Sequence, residues 1–203
     1  MAIFYSKNTI FTTSLVFIKS TSTLLPRECL VNITSLEFIW DIERWPGNYS
    51  NEAERLHRWE TYQKLMSSVG TSTYPNLKKL FIIVQNLTDY VPSNPPGRLV
   101  RASTNETLAA TLLNQPNRIV KDYNGQLQKF IVTYESHLFR RLAETVEHLG
   151  LQDVNSEDGE DGRFFAVLPD EEVGNESMVI KKGLGYWVHG SNGFLHYRNR
   201  GFL

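Results

Sequence analysis

The chain has 203 residues, of which 41% are hydrophobic and 21% are charged, and its formal net charge is −1. These values are typical of a globular protein with a packed core, and they exclude global disorder. A charge balance so close to neutral gives no electrostatic reason to expect nucleic acid or an anionic membrane as a partner. No run of the sequence approaches the roughly 20 apolar residues of a membrane-spanning helix.

The cysteine content and the amino-terminal region bear on the compartment. Cys29 is the only cysteine, so an intramolecular disulfide and a cysteine-based zinc site are excluded, and a reduced compartment is favoured. The apolar run Ile10–Ile18 is interrupted by threonine and serine, ends at Lys19 and is followed by no usual cleavage site. We interpret it as structure rather than a signal peptide. The expected location is therefore intracellular, in the cytoplasm or the nucleus.

The first elements are short. Thr9–Thr13 is a β-prone run, and a short helix is predicted from Leu15 up to Pro26, which stops it. Arg27–Asn32 then leads into a strand at Thr34–Trp40. Because the chain begins almost inside a structural element, we expect an upstream segment to be missing.

One spacing of apolar residues, apolar-x-x-apolar-x-apolar, occurs three times in the chain. Each copy is followed by a segment that can be helical, which predicts a repeated strand-and-helix unit. The copies lie farther apart than the roughly 20–29 residues of ordinary leucine-rich repeats. The copies are Ile33, Leu36 and Phe38; Leu77, Leu80 and Ile82; and Leu127, Phe130 and Val132.

Two capped helices and a second strand follow. Asn51 can cap a helix that ends at the C-capping Gly70, and the second repeat strand is Lys78–Gln85. Ser103 and Glu106 form a capping-box pair at the start of the next helix. Pro116 is expected to end or bend that helix, because proline lacks the backbone N–H of the helical hydrogen bond.

The rest of the chain contains the third repeat strand, a helix and the C-terminal strands, with acidic loops at 152–162 and 170–177. A turn at 123–125 precedes the third repeat strand, Leu127–Tyr134, and a helix is predicted at about Glu135–Leu149. Phe164–Leu168 is a predicted strand. Met178–Lys181 and Tyr186–His189 are predicted to pair as a hairpin around Gly183 and Gly185.

The pattern as a whole predicts an α/β fold. We expect irregular leucine-rich-repeat-like strand-helix units, with a roughly parallel strand layer joined by right-handed crossovers and a C-terminal β hairpin. Residues 1–203 form a single predicted domain, with repeat-like units at about 1–50, 51–97 and 98–150, an acidic loop at 152–162, and C-terminal strands and tail at 163–203.

The sequence contains no complete catalytic or metal-binding motif. His189 and His196 could meet across the intervening glycines, but no third metal ligand is evident. The acidic stretch Asp153–Phe164 fails the register of a calcium-binding loop. Gly183-Leu184-Gly185 lacks the third glycine of a dinucleotide-binding loop. We therefore assign no catalytic residue, metal ligand or cofactor.

Trp40, Arg44 and Trp45 form the candidate partner-binding group. They fall just past the carboxyl end of the first repeat strand, where the binding loops of α/β layers tend to lie. Tryptophan and arginine are enriched among interface hot spots. The alternative is that both tryptophans cap the core against the helix that contains Trp59.

Four stretches between residues 3 and 135 carry a family resemblance, namely Y-S-K-N-T-I-F, L-L-P-R-E-C-L-V-N-I-T-S-L-E-F-I-W, W-E-T-Y-Q-K-L-M and Y-P-N-L-K-K-L-F-I-I-V. They resemble an uncharacterised family of fungal domains that is expanded in filamentous fungi. Some of its members carry an F-box-like segment or leucine-rich-repeat-like units. The chain is similar to a member shortened at its N-terminus. The family has no established activity, so the resemblance implies no catalytic residues.

Three functional hypotheses follow. The first is a non-enzymatic protein–protein interaction module with an unidentified protein partner, and substrate recruitment for ubiquitin ligation is one version of it. The second is a small hydrolase or transferase with a cleft that holds His189, His196 and a carboxylate. The third is a secreted effector-like protein, indicated by Asn-x-Ser/Thr triplets at Asn32, Asn48, Asn86, Asn105 and Asn175.

Overall fold

The computed structural model describes residues 4–6, 9–12, 25–41, 52–85, 87, 90–92, 98–148, 163–168 and 184–191. These residues form a mixed α/β fold, as the sequence predicts. The helices are α1 (Arg27–Val31), α2 (Glu52–Ser68), α3 (Asn105–Tyr123) and α4 (Ser136–His148). The strands are β1 (Phe4–Ser6), β2 (Thr9–Thr12), β3 (Ser35–Asp41), β4 (Lys79–Gln85), β5 (Tyr90–Pro92), β6 (Leu99–Arg101), β7 (Lys129–Glu135), β8 (Arg163–Val167) and β9 (Gly185–Ser191).

A seven-stranded sheet in the order β1-β2-β3-β4-β7-β9-β8 forms the centre of the described part. Strands β2, β3, β4, β7 and β9 are parallel, whereas β1 and β8 pair antiparallel at the two edges. The predicted mostly parallel layer and C-terminal antiparallel pair are confirmed, with β8 as the antiparallel neighbour of β9. The segment Met178–Lys181, to which the sequence assigned that role, lies outside the described residues.

The parallel strands follow one another across the sheet in chain order, so every crossover steps in the same direction. Right-handed connections then place the intervening helices on one face of the sheet. Contacts agree with this arrangement. The Tyr62 hydroxyl of α2 lies 3.3 Å from that of Tyr134 in β7. The Phe139 ring of α4 stacks 5.7 Å from the Phe164 ring of β8. We call this side the helical face and the opposite side the second face.

The repeated apolar spacing of the sequence is a lateral register in the sheet. In each copy the second and third apolar residues lie in a strand. Each of them aligns with the corresponding residue of the other two copies across the neighbouring strands β3, β4 and β7. The alignment extends to the loops, because the Thr34 carbonyl accepts hydrogen bonds from the backbone N–H groups of Lys78 (2.9 Å) and Lys79 (3.0 Å). These positions are buried on the helical face, and they are Leu36, Leu80 and Phe130 in one row and Phe38, Ile82 and Val132 in the next.

Pro26 begins a helix instead of only ending one. It is the N-cap of α1, with a φ of −55° and an extended ψ of 149°. Its carbonyl accepts hydrogen bonds from the backbone N–H groups of Cys29 (2.9 Å) and Leu30 (3.3 Å). The missing N–H of proline costs nothing at a helix start, where it would have no helical partner. The interpretation of Arg27–Asn32 as a plain lead-in was therefore wrong, while the helix predicted before Pro26 lies almost wholly outside the described residues.

Helix α3 continues through Pro116 to Tyr123, so the proline does not end it, and the alternative that the proline bends the helix stays a prediction. A proline at this position leaves the carbonyl of Leu112 without its helical donor. The Tyr134 hydroxyl supplies that donor at 3.1 Å. The helix starts one residue later than predicted, because Thr104 caps it and its side-chain oxygen accepts from the Thr107 N–H at 3.2 Å.

Candidate interaction surface on the second face of the sheet

The residues singled out from the sequence do not assemble into a site in the described part of the chain. Trp40 lies in β3, and its register partner on β4 is the buried Val84. Arg44 and Trp45 lie outside the described residues, so their grouping with Trp40 stays a prediction. His189 is half-buried in β9, and His196 also lies outside the described residues.

The strand positions between those of the helical face point to the second face, because side chains alternate along a strand. The register of neighbouring strands lines up one such position from each strand in a single row. We call this line the central row. From β3 to β8 it consists of Glu37, Phe81, Ile131, Trp187 and Phe165.

The large side chains of the central row are only half-buried. Phe81, Ile131, Trp187 and Phe165 all keep part of their surface in solvent. On the helical face, by contrast, the adjacent Val132 and Val188 are fully buried. Contiguous apolar side chains that remain partly exposed mark interaction sites more often than solitary ones do.

Two cations lie over aromatic rings of this row. Lys129 Nζ is 5.2 Å from the centroid of the Phe81 ring. The guanidinium carbon of Arg163 is 5.2 Å from the centroid of the Trp187 ring. The Trp187 ring also meets the Phe165 ring edge-on, with 5.2 Å between centroids. Each contact fixes a cation beside apolar surface and orients the rings, so the row is held in a defined geometry.

Lys79 and Lys129 bring like charges together beside the central row, on the side of the amino-terminal ends of the strands. They are register partners on the adjacent strands β4 and β7, and both are exposed. Parallel neighbours lie roughly 4.8 Å apart, and like charges directly opposite each other destabilise a sheet. The arrangement is therefore unfavourable for folding and favourable for binding an anion.

Glu37 is the acidic member of the central row. It is partly buried beside Phe81, and desolvation raises the pKa of its carboxyl above the ordinary value. The ionised form is disfavoured there because water is removed from the charge. Folding therefore makes this carboxyl harder to ionise than it is in the unfolded chain.

In β3, β4 and β7 the second face is more exposed in and before the central row than beyond it, whereas the exposed Arg163 of β8 and the half-buried His189 of β9 lie beyond the row. Towards the carboxyl ends of the strands, Ile39, Ile83 and Thr133 occupy the same face but are 6%, 5% and 2% exposed. We group nine exposed or half-buried residues in and around the central row as the aromatic-basic surface. It consists of Glu37, Lys79, Phe81, Lys129, Ile131, Arg163, Phe165, Val167 and Trp187.

The buried tyrosines on the helical face form a group of hydrogen-bonded hydroxyls that stabilises the fold rather than a reactive site. Tyr62, Tyr134 and Tyr186 are almost wholly buried, and their hydroxyls meet carbonyls of α3. Burial raises the pKa of all three phenols, so none is poised to act as a base near neutral pH.

Two cavities among the described residues also offer no acid–base pair. One of 320 Å³ lies between α1 and residues 71–75, and an open one of 430 Å³ lies beside the start of α3. Arg141 lines the second, where its Nε donates to Asn105 Oδ1 at 2.8 Å and holds the helix start. Neither lining includes a histidine, a cysteine or a carboxylate. The described residues contain no group of three or more His, Cys, Asp or Glu side chains that could hold a metal ion.

Two glycines of the C-terminal region lie inside β9. A Cβ atom on Gly190 would come within 2.7 Å of the Phe139 ring, and one on Gly185 within 2.2 Å of the Ala166 carbonyl oxygen. Both positions therefore allow close packing against β9. This packing accounts for Gly185, which is also part of the Gly183-Leu184-Gly185 stretch that resembles the start of a dinucleotide-binding loop.

Comparisons with protein family models, with curated proteins and with solved structures gave no match. The resemblance to the fungal family and to leucine-rich repeats stays a prediction. In the described part of the chain, no helix has the length and apolar character needed to cross a membrane.

The sequence held one signal for the aromatic-basic surface that our sequence analysis did not use. In each repeat copy, the residue between the last two apolar positions points to the second face: Glu37, Phe81 and Ile131. Two of these are large and apolar, which also fits a strand buried on both faces. Only the register with β9 and β8 adds Trp187 and Phe165 and so reveals the row.

Proposed function

We propose that this chain is a non-enzymatic protein–protein interaction module and that the aromatic-basic surface binds its partner. The observation that supports this proposal is the row of half-exposed Phe81, Ile131, Trp187 and Phe165 across four adjacent strands. A large aromatic side chain can transfer substantial apolar area from water to a partner.

The composition of the surface fits a protein interface. Interface cores are enriched in aromatic residues and arginine, and their binding energy is concentrated in a few such side chains. Trp187, with Arg163 over one side and Phe165 at its edge, has the character of a hot spot. The side chains project from hydrogen-bonded strands, so little backbone ordering is needed on binding.

An intracellular location is part of the proposal. Cys29, the only cysteine of the chain, is exposed and free in α1, which suits a reducing compartment. Recruitment of a substrate for ubiquitin ligation remains one version of the module, and it rests on the family resemblance.

A site-specific crosslinking experiment tests the proposal. A benzophenone-bearing amino acid replaces Phe81 in the full chain, and a control replaces Asn114, an exposed residue of α3 on the helical face. Crosslinking is performed in fungal cells, and captured proteins are identified by mass spectrometry and purified. We expect a defined partner at Phe81 that is absent at Asn114.

The captured partner is then measured by calorimetry against two alanine variants. Trp187→Ala is expected to weaken binding by about thirtyfold or more, which corresponds to about 2 kcal/mol. Val100→Ala is the control, since Val100 is an apolar side chain that is 47% exposed on β6, away from the surface. Equal capture at Phe81 and Asn114, or unchanged affinity of a folded Trp187→Ala variant, would count against the proposal.

A further inference from the structure

We infer that the aromatic-basic surface recognises an acidic peptide segment that also carries apolar side chains. This inference rests on the proposed function and names the chemistry of its partner. The occupant is an extended stretch in which aspartate or glutamate stands beside phenylalanine, leucine or a similar residue.

The charge of the surface is the first argument. The chain has a net charge of −1, yet this surface presents Lys79, Lys129 and Arg163, all exposed. Against them stands Glu37, whose ionised form burial disfavours. The charged side chains of this surface are therefore mostly positive, and an acidic partner is complementary to them.

The neighbouring lysines are the second argument. Lys79 and Lys129 face the same side of adjacent strands, where their repulsion opposes folding. A carboxylate placed between the two ammonium groups removes that repulsion and accepts charge-assisted hydrogen bonds from both. The gain is available only in the complex, so it favours anionic partners over neutral ones.

The dimensions of the row indicate a short peptide. From Glu37 on β3 to Phe165 on β8 the row crosses four strand-to-strand spacings, which amounts to roughly 19 Å. An extended chain covers that distance with roughly six residues. The lysine pair lies two residues along the strands from Phe81 and Ile131, so a carboxylate can reach the lysines while a neighbouring apolar side chain covers the rings.

Single-stranded nucleic acid is the competing anion, and the geometry suits it less well. Bases stack on open aromatic faces. Here Lys129 already lies over the Phe81 ring and Arg163 over the Trp187 ring.

Selection from a random dodecapeptide display library tests the inference. The full chain is the bait, and a folded Lys79→Glu/Lys129→Glu double variant is used for counter-selection. Both changes are at exposed positions, so the variant is expected to retain its fold, which circular dichroism checks. We expect peptides that carry several acidic residues together with apolar ones.

The selected peptides are then measured by fluorescence anisotropy. Affinity should fall by about tenfold or more in the Lys79→Glu/Lys129→Glu variant and on replacement of the peptide acids by amides. It should stay unchanged in Lys64→Glu/Arg118→Glu, which alters the same charges at exposed positions of α2 and α3. Added salt should weaken the binding.

The possible results separate the inference from the proposed function. Selected peptides without acidic residues, or no peptides at all, overturn the inference, and the crosslinking at Phe81 still decides the proposed function. Displacement of the peptide by a uridine-rich RNA that binds more tightly than any selected peptide also overturns it. Loss of crosslinking specificity at Phe81 removes the proposed function and the inference together.

Discussion

Three buried phenols explain how α3 passes through a proline. Tyr134 Oη donates to the Leu112 carbonyl at 3.1 Å, and Tyr62 Oη lies 3.3 Å from Tyr134 Oη. Tyr186 Oη lies 3.4 Å from the Leu113 carbonyl oxygen and 2.9 Å from Asn117 Oδ1. The hydroxyls thus form hydrogen bonds to carbonyls in the helical turn before Pro116. The Leu112 carbonyl thereby gains a donor that the helix cannot provide at Pro116.

Removal of one hydroxyl tests this explanation. Tyr134→Phe should lower the free energy of unfolding by about 1–2 kcal/mol, because it leaves the buried Leu112 carbonyl short of a donor. The loss should shrink in a Pro116→Ala background, where the restored N–H can bond to that carbonyl. A double-mutant cycle by urea denaturation measures the coupling. An equal loss in both backgrounds would show that the hydroxyl does not compensate for the proline.

The same phenols predict an alkaline limit to stability. Burial raises the pKa of Tyr62, Tyr134 and Tyr186, so the folded state keeps them neutral while the unfolded state ionises them above about pH 10. The free energy of unfolding should therefore fall as the pH rises past that value. Phenolate absorbance followed during a pH titration checks it. Ionisation of all nine tyrosines with ordinary pKa values in the folded chain would contradict it.

Replacement of Glu37 is expected to stabilise the folded chain. Its pKa is raised by burial, so at neutral pH its ionised carboxylate costs folding free energy. Glu37→Gln should raise the free energy of unfolding at neutral pH. The gain should vanish below the ordinary glutamate pKa of about 4.3, where the carboxyl is protonated in both states. Glu60→Gln at an exposed position of α2 is the control in urea denaturation at both pH values, and destabilisation by Glu37→Gln at neutral pH would refute the expectation.

At the scale of elements, a side-chain clip joins the ends of α2 and α3. Asp122 near the end of α3 accepts hydrogen bonds from the Thr71 N–H at 2.6 Å and from Thr71 Oγ1 at 3.1 Å. The carboxylate lies so close to Gly70 that a Cβ there would come within 2.8 Å of Asp122 Oδ2. The glycine after α2 therefore serves helix packing as well as helix termination.

Asp122→Ala should lower the free energy of unfolding by about 1–2 kcal/mol, because the Thr71 N–H loses a charge-assisted partner. Glu60→Ala is the matched control, since it removes only the exposed pair with Lys64 and should change stability by less than about 0.5 kcal/mol. Urea denaturation compares the two variants. Equal small effects would mean that the clip contributes nothing to the folded state.

The elements themselves were largely predictable from the sequence, and the exceptions have physical causes. The spacing Leu36–Phe38 repeats in β4 and β7 because lateral neighbours on the helical face need matching apolar positions. The local sequence did not predict that α3 continues through Pro116, because the hydrogen-bond donor that replaces the missing N–H comes from a tyrosine on β7, distant in sequence. Pro26 was assigned only to the helix before it, although a proline suits a helix start as well as a helix end.

The candidate site was less predictable than the fold. Sequence reasoning favoured Trp40, Arg44 and Trp45 at a carboxyl strand end, because aromatic residues and arginine cluster there. The aromatic-basic surface instead draws on Phe81, Trp187 and other residues of separate strands. Which residues share a face across strands depends on register and strand order, and the order of β9 and β8 has no local sequence signal.

At the scale of the whole molecule, the one-directional sheet has two faces that differ in burial. Strands laid down in chain order put the helices and the larger apolar rows on the helical face. On the second face, several large side chains stay partly exposed after folding. Their contribution to stability should be small and their contribution to binding large, which is the opposite of the helical-face residues.

One measurement separates these roles: the affinity of Trp187→Ala for the partner captured at Phe81, taken beside its free energy of unfolding. Trp187 is half-buried and contacts Arg163 and Phe165, so its removal should cost under about 1.5 kcal/mol of stability. Binding should weaken by about 2 kcal/mol or more. Unchanged affinity in a folded variant would contradict a binding role for the aromatic-basic surface.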